Sequence, residues 1–189
     1  MVELVAAIAS ALGVWLMAKR LRWGWPVGLM SVLIYGWVFI DAQLYSDALL
    51  QGCFGVMIVY GWINWSFHLD QHKQVTVQPL TRKAALFHLA LGALGALALG
   101  TFMHHLTNAD LPRLDAALAA FSLVGQWWQA RRHAAAWIMW IVVDLVYIGM
   151  YIHKALWITA VLYTGFIGLA IYGWISWLQA QKKTPDGVL

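Results

Sequence analysis

The stretch Tyr60-Gly61-Trp62-Ile63-Asn64-Trp65 returns 112 residues later as Tyr172-Gly173-Trp174-Ile175-Ser176-Trp177. Outward in the same register, without a gap, Trp25, Tyr35, Leu44 and Phe54 meet Trp137, Tyr147, Leu156 and Phe166. Further back, Gly13, Trp15, Ala18, Lys19 and Arg20 meet Gly125, Trp127, Ala130, Arg131 and Arg132. One gapless register running across three apolar spans and a basic loop marks an internal duplication.

The composition says what kind of unit was duplicated. Of 189 residues, 62% are hydrophobic and 11% charged, against roughly 45–50% and about 25% for a soluble domain. Breaks at charged and turn-forming residues leave seven apolar stretches, at about Glu3 to Ala18, Trp23 to Ile40, Tyr45 to Phe67, Lys83 to His105, Pro112 to Ala130, Ala134 to Ile152 and Ala155 to Leu178. At about 20 residues per crossing, seven spans take roughly 140 residues and leave no room for a soluble catalytic domain. The expected fold is all-α and integral to the membrane, with seven transmembrane helices in a three plus one plus three arrangement. Residues 1–67 form the first repeat, 68–111 a loop and linking helix, and 112–189 the second repeat and tail. Each repeat has an odd number of spans, so the linking helix lets both share one orientation. Parallel repeats of this kind are a transporter design, with substrate held between the halves near the midplane.

Charge sets the direction. With the N-terminus outside, the inner loops hold Lys19, Arg20, Arg22, Lys73, Arg82, Lys83, Arg131, Arg132, Lys182 and Lys183, and the outer ones only Arg113 and Lys154. This bias places the C-terminus inside. The net charge of +4 is therefore read as a topology signal rather than as a nucleic-acid footprint. Outside stand Glu3, Asp41, Asp47, Asp110 and Asp115, either solvated loop caps or a field that draws cations to the outer mouth. The first span lacks a basic leader, so it is kept as a helix rather than a cleaved signal. The single cysteine, Cys53, excludes an intramolecular disulfide and reads as core.

The halves differ at one position that matters. Trp25, Gly28 and Val32 correspond to Trp137, Trp140 and Asp144, so only the second half has an acid at depth. Steps of three and seven place Trp137, Trp140 and Asp144 along one helical face. A charged Asp at a helix centre costs about 2.5–3.5 kcal/mol on insertion scales and faces a cavity or a partner. Two readings are open: a structural acid, protonated or hydrogen-bonded to a neighbouring helix, and a counter-charge for a cationic substrate. In the second, the indoles offer faces suited to a flat, positively charged ring. Gln51, whose repeat mate is Tyr163, and Gln126, opposite Val14, are polar groups at depth that need partners. Both suit interhelical hydrogen bonds as well as a substrate path. Tyr147 completes the candidate set with Lys154, which either snorkels or gates from the outer turn.

Trp15, Trp23, Trp62, Trp65, Trp174 and Trp177 sit near span ends, as in interfacial belts or packing. Six histidines fall at span ends and His88 lies one turn into the fourth span. Their spacing suggests no metal cage.

Trp137, Trp140, Asp144, Lys154, Leu156 and Tyr163, with Leu44, Tyr45, Gln51, Tyr60, Gly61 and Trp62, resemble the PnuC family of bacterial vitamin-precursor transporters. The likeness covers almost the whole chain. Many members read W-x-x-W-x-x-x-N in the sixth helix, and here Asp144 stands at the asparagine place. The resemblance implies a fold related to the SWEET transporters, a homotrimer in the inner membrane, and passive uptake of nicotinamide riboside driven by phosphorylation by a cytoplasmic kinase. It also implies a substrate site formed by Trp137, Trp140 and Asp144, with Gln51 and Tyr163. Sister members, called PnuT, carry thiamine. Both substrates bear a cationic ring, whereas a phosphate would be repelled by Asp144. No cofactor is expected, since there is no Walker A loop.

A proton-coupled variant would use Asp144 as the carrier. An intramembrane enzyme is disfavoured by the lack of H-E-x-x-H and by a single deep acid. A retinal receptor would need a buried lysine in the last helix, and none is there.

Overall fold

The computed structural model describes residues 2–41, 45–106, 111–153, 155 and 157–183. Among them the chain forms seven α-helices: α1 Val2–Ala18, α2 Gly24–Asp41, α3 Tyr45–Ser66, α4 Arg82–Leu106, α5 Pro112–Ala130, α6 Ala135–His153 and α7 Trp157–Lys183. These bounds lie within a few residues of those read from the apolar runs. The segments Arg82–Phe102, Ala135–His153 and Trp157–Lys182 are long and apolar enough to cross a membrane by length and composition.

The helices close into a ring. α1 packs on α2, α2 on α3, α3 on α5, α5 on α6, α6 on α7 and α7 back on α1, while α4 packs on α5 alone among the described residues. Small residues permit the close α4–α5 approach, as in many membrane helix pairs: a Cβ on Gly92 would lie 2.9 Å from Val124 and one on Gly100 3.5 Å from Ala116. α4 otherwise presents Leu86, Phe87, Leu94 and Leu97 outward. Cys53 is also exposed, which corrects the core assignment. An apolar run cannot distinguish the lipid side of a helix from its packed side, because lipid and core are equally apolar to a thiol.

The two occurrences of Tyr-Gly-Trp-Ile-x-Trp make the same contacts. Trp25 and Trp137 each lie flat against a glycine: a Cβ on Gly61 would come within 2.5 Å of the Trp25 ring, and one on Gly173 within 2.6 Å of the Trp137 ring. Trp65 meets Trp25 edge to face at 5.3 Å and 89°, and Trp177 meets Trp137 at 5.7 Å and 80°. Trp65 and Trp177 touch each other at 5.4 Å, and all four rings are at most 2% exposed. These two end-of-span tryptophans therefore serve packing, whereas Trp15 and Trp23 are exposed as in a belt.

Each central indole also crosses to the other half. Trp65 Nε1 donates to Gln129 O at 3.0 Å and Trp177 Nε1 to Met17 O at 3.1 Å. Met17 and Gln129 are repeat mates in the last turns of α1 and α5, where helix carbonyls lack intrahelical donors. The exchange is reciprocal and caps both helices.

Beyond those turns, α1 and α5 end alike. Leu21 N bonds Leu16 O and Arg20 N bonds Met17 O; His133 N bonds Trp128 O and Arg132 N bonds Gln129 O. This is the Schellman pattern, with arginine in the left-handed position that usually takes glycine: φ is 60° at Arg20 and 66° at Arg132. The arginines are held by the segment between α3 and α4. Val75 N bonds Arg20 O and Gln78 N bonds Arg132 O. In return Arg20 Nη1 donates to Val75 O at 3.1 Å, and Arg132 Nη1 donates to Thr76 Oγ1 at 2.8 Å. Arg20 also bonds Gln74 and lies 3.7 Å from Asp70. With Val75 and Val77 buried, this strap ties both corners together. Burial and the neighbouring Arg131 push the Arg132 guanidinium down to about 10, so it stays charged at neutral pH.

An alanine at Gly173 gains about 0.8–1.0 kcal/mol of helix propensity but forces a methyl into the Trp137 ring. Gly173→Ala should therefore lower the melting temperature of the purified protein, with overpacking costing about 1–3 kcal/mol, while Gly168→Ala, whose Cβ meets nothing within 4 Å, should not. Equal melting temperatures would show that the tryptophan layer is loosely packed. A second expectation concerns His133, whose Nδ1 lies 3.1 Å from Gln78 O. Burial, opposed by that hydrogen bond and reinforced by Arg131, Arg132 and His88, lowers its pKa. A base with a lowered folded pKa stabilises the fold above its unfolded value, near 6.5, and loses that contribution as pH falls below it. The melting temperature should fall between pH 7.5 and 5.5, and His133→Gln should flatten that fall; an identical slope in the variant would remove His133 from the account.

Candidate functional site

Above the tryptophan layer, on the side away from the basic loops, the ring encloses a cavity of about 260 Å³, just under the roughly 300–1,000 Å³ of ordinary small-molecule pockets. The first three helices give it small and apolar walls: Gly13, Val14 and Met17 from α1, Gly28 from α2 and Ile58 from α3, with Ser10 as the polar exception. The last three supply the chemistry. Gln126 and Gln129 come from α5, Trp137, Trp140, Asp144 and Tyr147 from α6, and Tyr163 and Phe166 from α7.

The face predicted for α6 is the face observed. Asp144 is 8% exposed and lines the cavity beside both indoles. Among the described residues nothing hydrogen-bonds or ion-pairs to its carboxylate; the one ion pair there is Arg20 with Asp70. Trp140 is seated on Gly125, where an added Cβ would lie 3.4 Å from the indole. Its mate across the repeat is Gly28, whose missing side chain leaves open space. Room for a ligand thus arises from breaking the repeat: a tryptophan on one side and a glycine on the other.

The end away from the tryptophan layer is aromatic too. Tyr147 and Tyr151 stack at 5.7 Å and 12°, and Tyr163 meets both, at 5.3 and 4.9 Å, as well as Phe166 at 5.4 Å. Flat walls at both ends favour a flat guest. Lysine, arginine and histidine are absent from the described lining.

Of the residues singled out in the sequence, Trp137, Trp140, Asp144, Tyr147, Tyr163 and Gln126 converge here. Gln51 does not. It faces a separate groove between α2 and α3 with Val32, Gly36 and Gly55, open toward the exposed Leu33, Trp37 and Val56. Lys154 lies outside the described residues. Two residues went unnoticed in the sequence: Tyr151, through its stack on Tyr147, and Gln129, which the repeat could have flagged because a polar residue there answers Met17.

A family model described as "Nicotinamide mononucleotide transporter" matches residues 1–179. The chain belongs to that family. It is similar to the nicotinamide riboside transporter PnuC of Neisseria mucosa, 26% identical over 95% of this chain and 72% of that one. It is also similar to PnuC of Escherichia coli, 22% identical over 100% and 89%, and to the riboflavin/roseoflavin transporter RibM of Streptomyces davaonensis, 24% identical over 99% and 87%. Among solved structures, the crystal structure of the vitamin B3 transporter PnuC superposes with a TM-score of 0.78 at 25% identity, covering 96% of this chain and 82% of that one. This member of the family is thus a multi-pass membrane transporter with the PnuC fold, built as three plus one plus three helices, and not an enzyme. Asp144, the acid at depth that the first repeat lacks, falls inside the cavity.

Proposed function

We propose that this transporter takes up nicotinamide riboside across the bacterial inner membrane by facilitated diffusion. The pyridinium ring would lie against Trp137 and Trp140 with Asp144 as its counter-charge, and Gln126, Tyr147 and Tyr163 complete the wall. What carries this reading is an acid that has no partner among the described residues and stands on an aromatic cavity wall. A desolvated cation–indole contact is worth roughly 2 kcal/mol or more, and a counter-charge in a low dielectric adds to it. The family model speaks of a mononucleotide, while the PnuC relatives carry the riboside in their names. The cavity favours the riboside here, because a phosphate would meet Asp144 and no described base.

In this reading residues 1–67 and 112–189 act as two halves that rock around the cavity, with 68–111 linking them. The basic end is cytoplasmic and the N-terminus outside, so the tryptophan layer and the strap close the inner side and must part for release. Phosphorylation of the released riboside by a cytoplasmic kinase would hold the gradient, and a homotrimer is the assembly that the family resemblance suggests. Thiamine, whose thiazolium is equally flat and cationic, is the second reading. Proton coupling through Asp144 is the alternative to simple facilitation.

The expected outcome of Asp144→Asn is a loss of about tenfold or more in nicotinamide riboside affinity, measured by calorimetric titration of the purified protein, with the melting temperature retained. Gln51→Leu should leave the affinity within about twofold, since that side chain faces the other groove. Unchanged affinity in Asp144→Asn would make the acid structural, and tighter binding of thiamine than of the riboside would select the second reading.

A further inference from the structure

Two hydrogen-bonding side chains in the cavity wall find no partner among the described residues. Gln129 is 1% exposed, and both its Oε1 and its Nε2 lack a partner; Trp137 is 2% exposed, and its Nε1 lacks one as well. Both residues line the cavity. Trp25 Nε1 and Arg132 Nε are also unpaired but lie off the cavity; buried polar groups are almost always paired, so the orphans on two residues that line one cavity ask what completes them. The repeat sharpens the question. Gln129 answers Met17, which lines the same cavity with a thioether, so the amide is not a requirement of the fold at that place: the backbone carbonyls of both positions do the structural work of accepting an indole N–H.

The chemistry of the orphans defines their complement. A carboxamide offers a donor and an acceptor side by side in one plane, and the Trp137 indole adds a second donor. A flat group with a carbonyl-type acceptor beside an N–H donor fills all three. We infer that Gln129, together with the Trp137 N–H, reads an amide-type edge on the substrate's ring. In nicotinamide riboside that edge is the ring carboxamide: its oxygen accepts from Gln129 Nε2 and Trp137 Nε1, and its NH2 donates to Gln129 Oε1. Asp144 then reads the ring's charge and Gln129 its substituent. A carboxylate at the same ring position would face Oε1 with another acceptor and is excluded. The aminopyrimidine edge of thiamine presents the same donor–acceptor pair.

The inference rests on the cavity being the site of a cationic ring, and the test separates the two. Wild type and Gln129→Met, a volume-conserving change, are titrated calorimetrically with nicotinamide riboside, with the ribosylpyridinium that lacks the carboxamide, and with thiamine. The expected result is that wild type binds the riboside about tenfold or more tightly than ribosylpyridinium, whereas Gln129→Met binds both at the weaker level. Thiamine bound by wild type and weakened in the variant, with no riboside binding, supports the same edge-reading role with the aminopyrimidine as its source. If wild type binds the two pyridinium ribosides equally, or the variant keeps the preference, the inference is overturned while the charge-based site stands. If wild type binds none of the three cations, the underlying reading fails. The wild-type comparison alone decides the matter should the variant not fold.

Discussion

A carboxylate halfway along an apolar helix has to be given something polar to face, and the arrangement around Asp144 follows from that constraint. Left against lipid, it would cost several kcal/mol; paired with a buried base, it would be neutralised and inert. Neither happens among the described residues. The acid is 8% exposed, lies on a cavity of about 260 Å³ and has indoles on the same helical face. In the proposed reading such an acid would tell a ligand's charge apart, because a cation would recover what burial of the carboxylate cost.

What keeps that cavity open is a symmetric floor under an asymmetric room. Four buried tryptophans, two from each repeat, interlock at the basic end, and the central pair exchange indole hydrogen bonds with Met17 and Gln129 of the opposite half. The strap between α3 and α4 grips the matching arginine corners. Above this layer the symmetry breaks, with glycine against tryptophan at 28 and 140, valine against aspartate at 32 and 144, and methionine against glutamine at 17 and 129. Duplication supplied the frame, and divergence on one side supplied the polar and aromatic lining of the cavity.

The frame was legible in the sequence because its signals are strong and redundant: apolar runs of bilayer length, charge bias between loops and a gapless repeat. The cavity-lining face of α6 was legible because a 3.6-residue period fixes which side chains share a face. Gln51 was not, since matching Tyr163 in the repeat says that the two occupy equal places in their own halves, not that both halves turn those places to the same cavity. Gln129 was passed over because a polar residue next to Arg131 and Arg132 reads as a solvated helix end, and only the tertiary packing buries it. The strap looked like a polar loop. Its role depends on two arginine corners, far apart in sequence, that both bond to residues 74–78.

The most direct test of the central claim changes the ligand's charge and leaves the protein alone. Affinity of the purified wild-type protein is measured for nicotinamide riboside and for its dihydro form, which has nearly the same shape and the same carboxamide but an uncharged ring. Asp144 and the two indoles predict that the cation binds about tenfold or more tightly. Equal affinities would contradict the account, since recognition would then owe nothing to the buried acid.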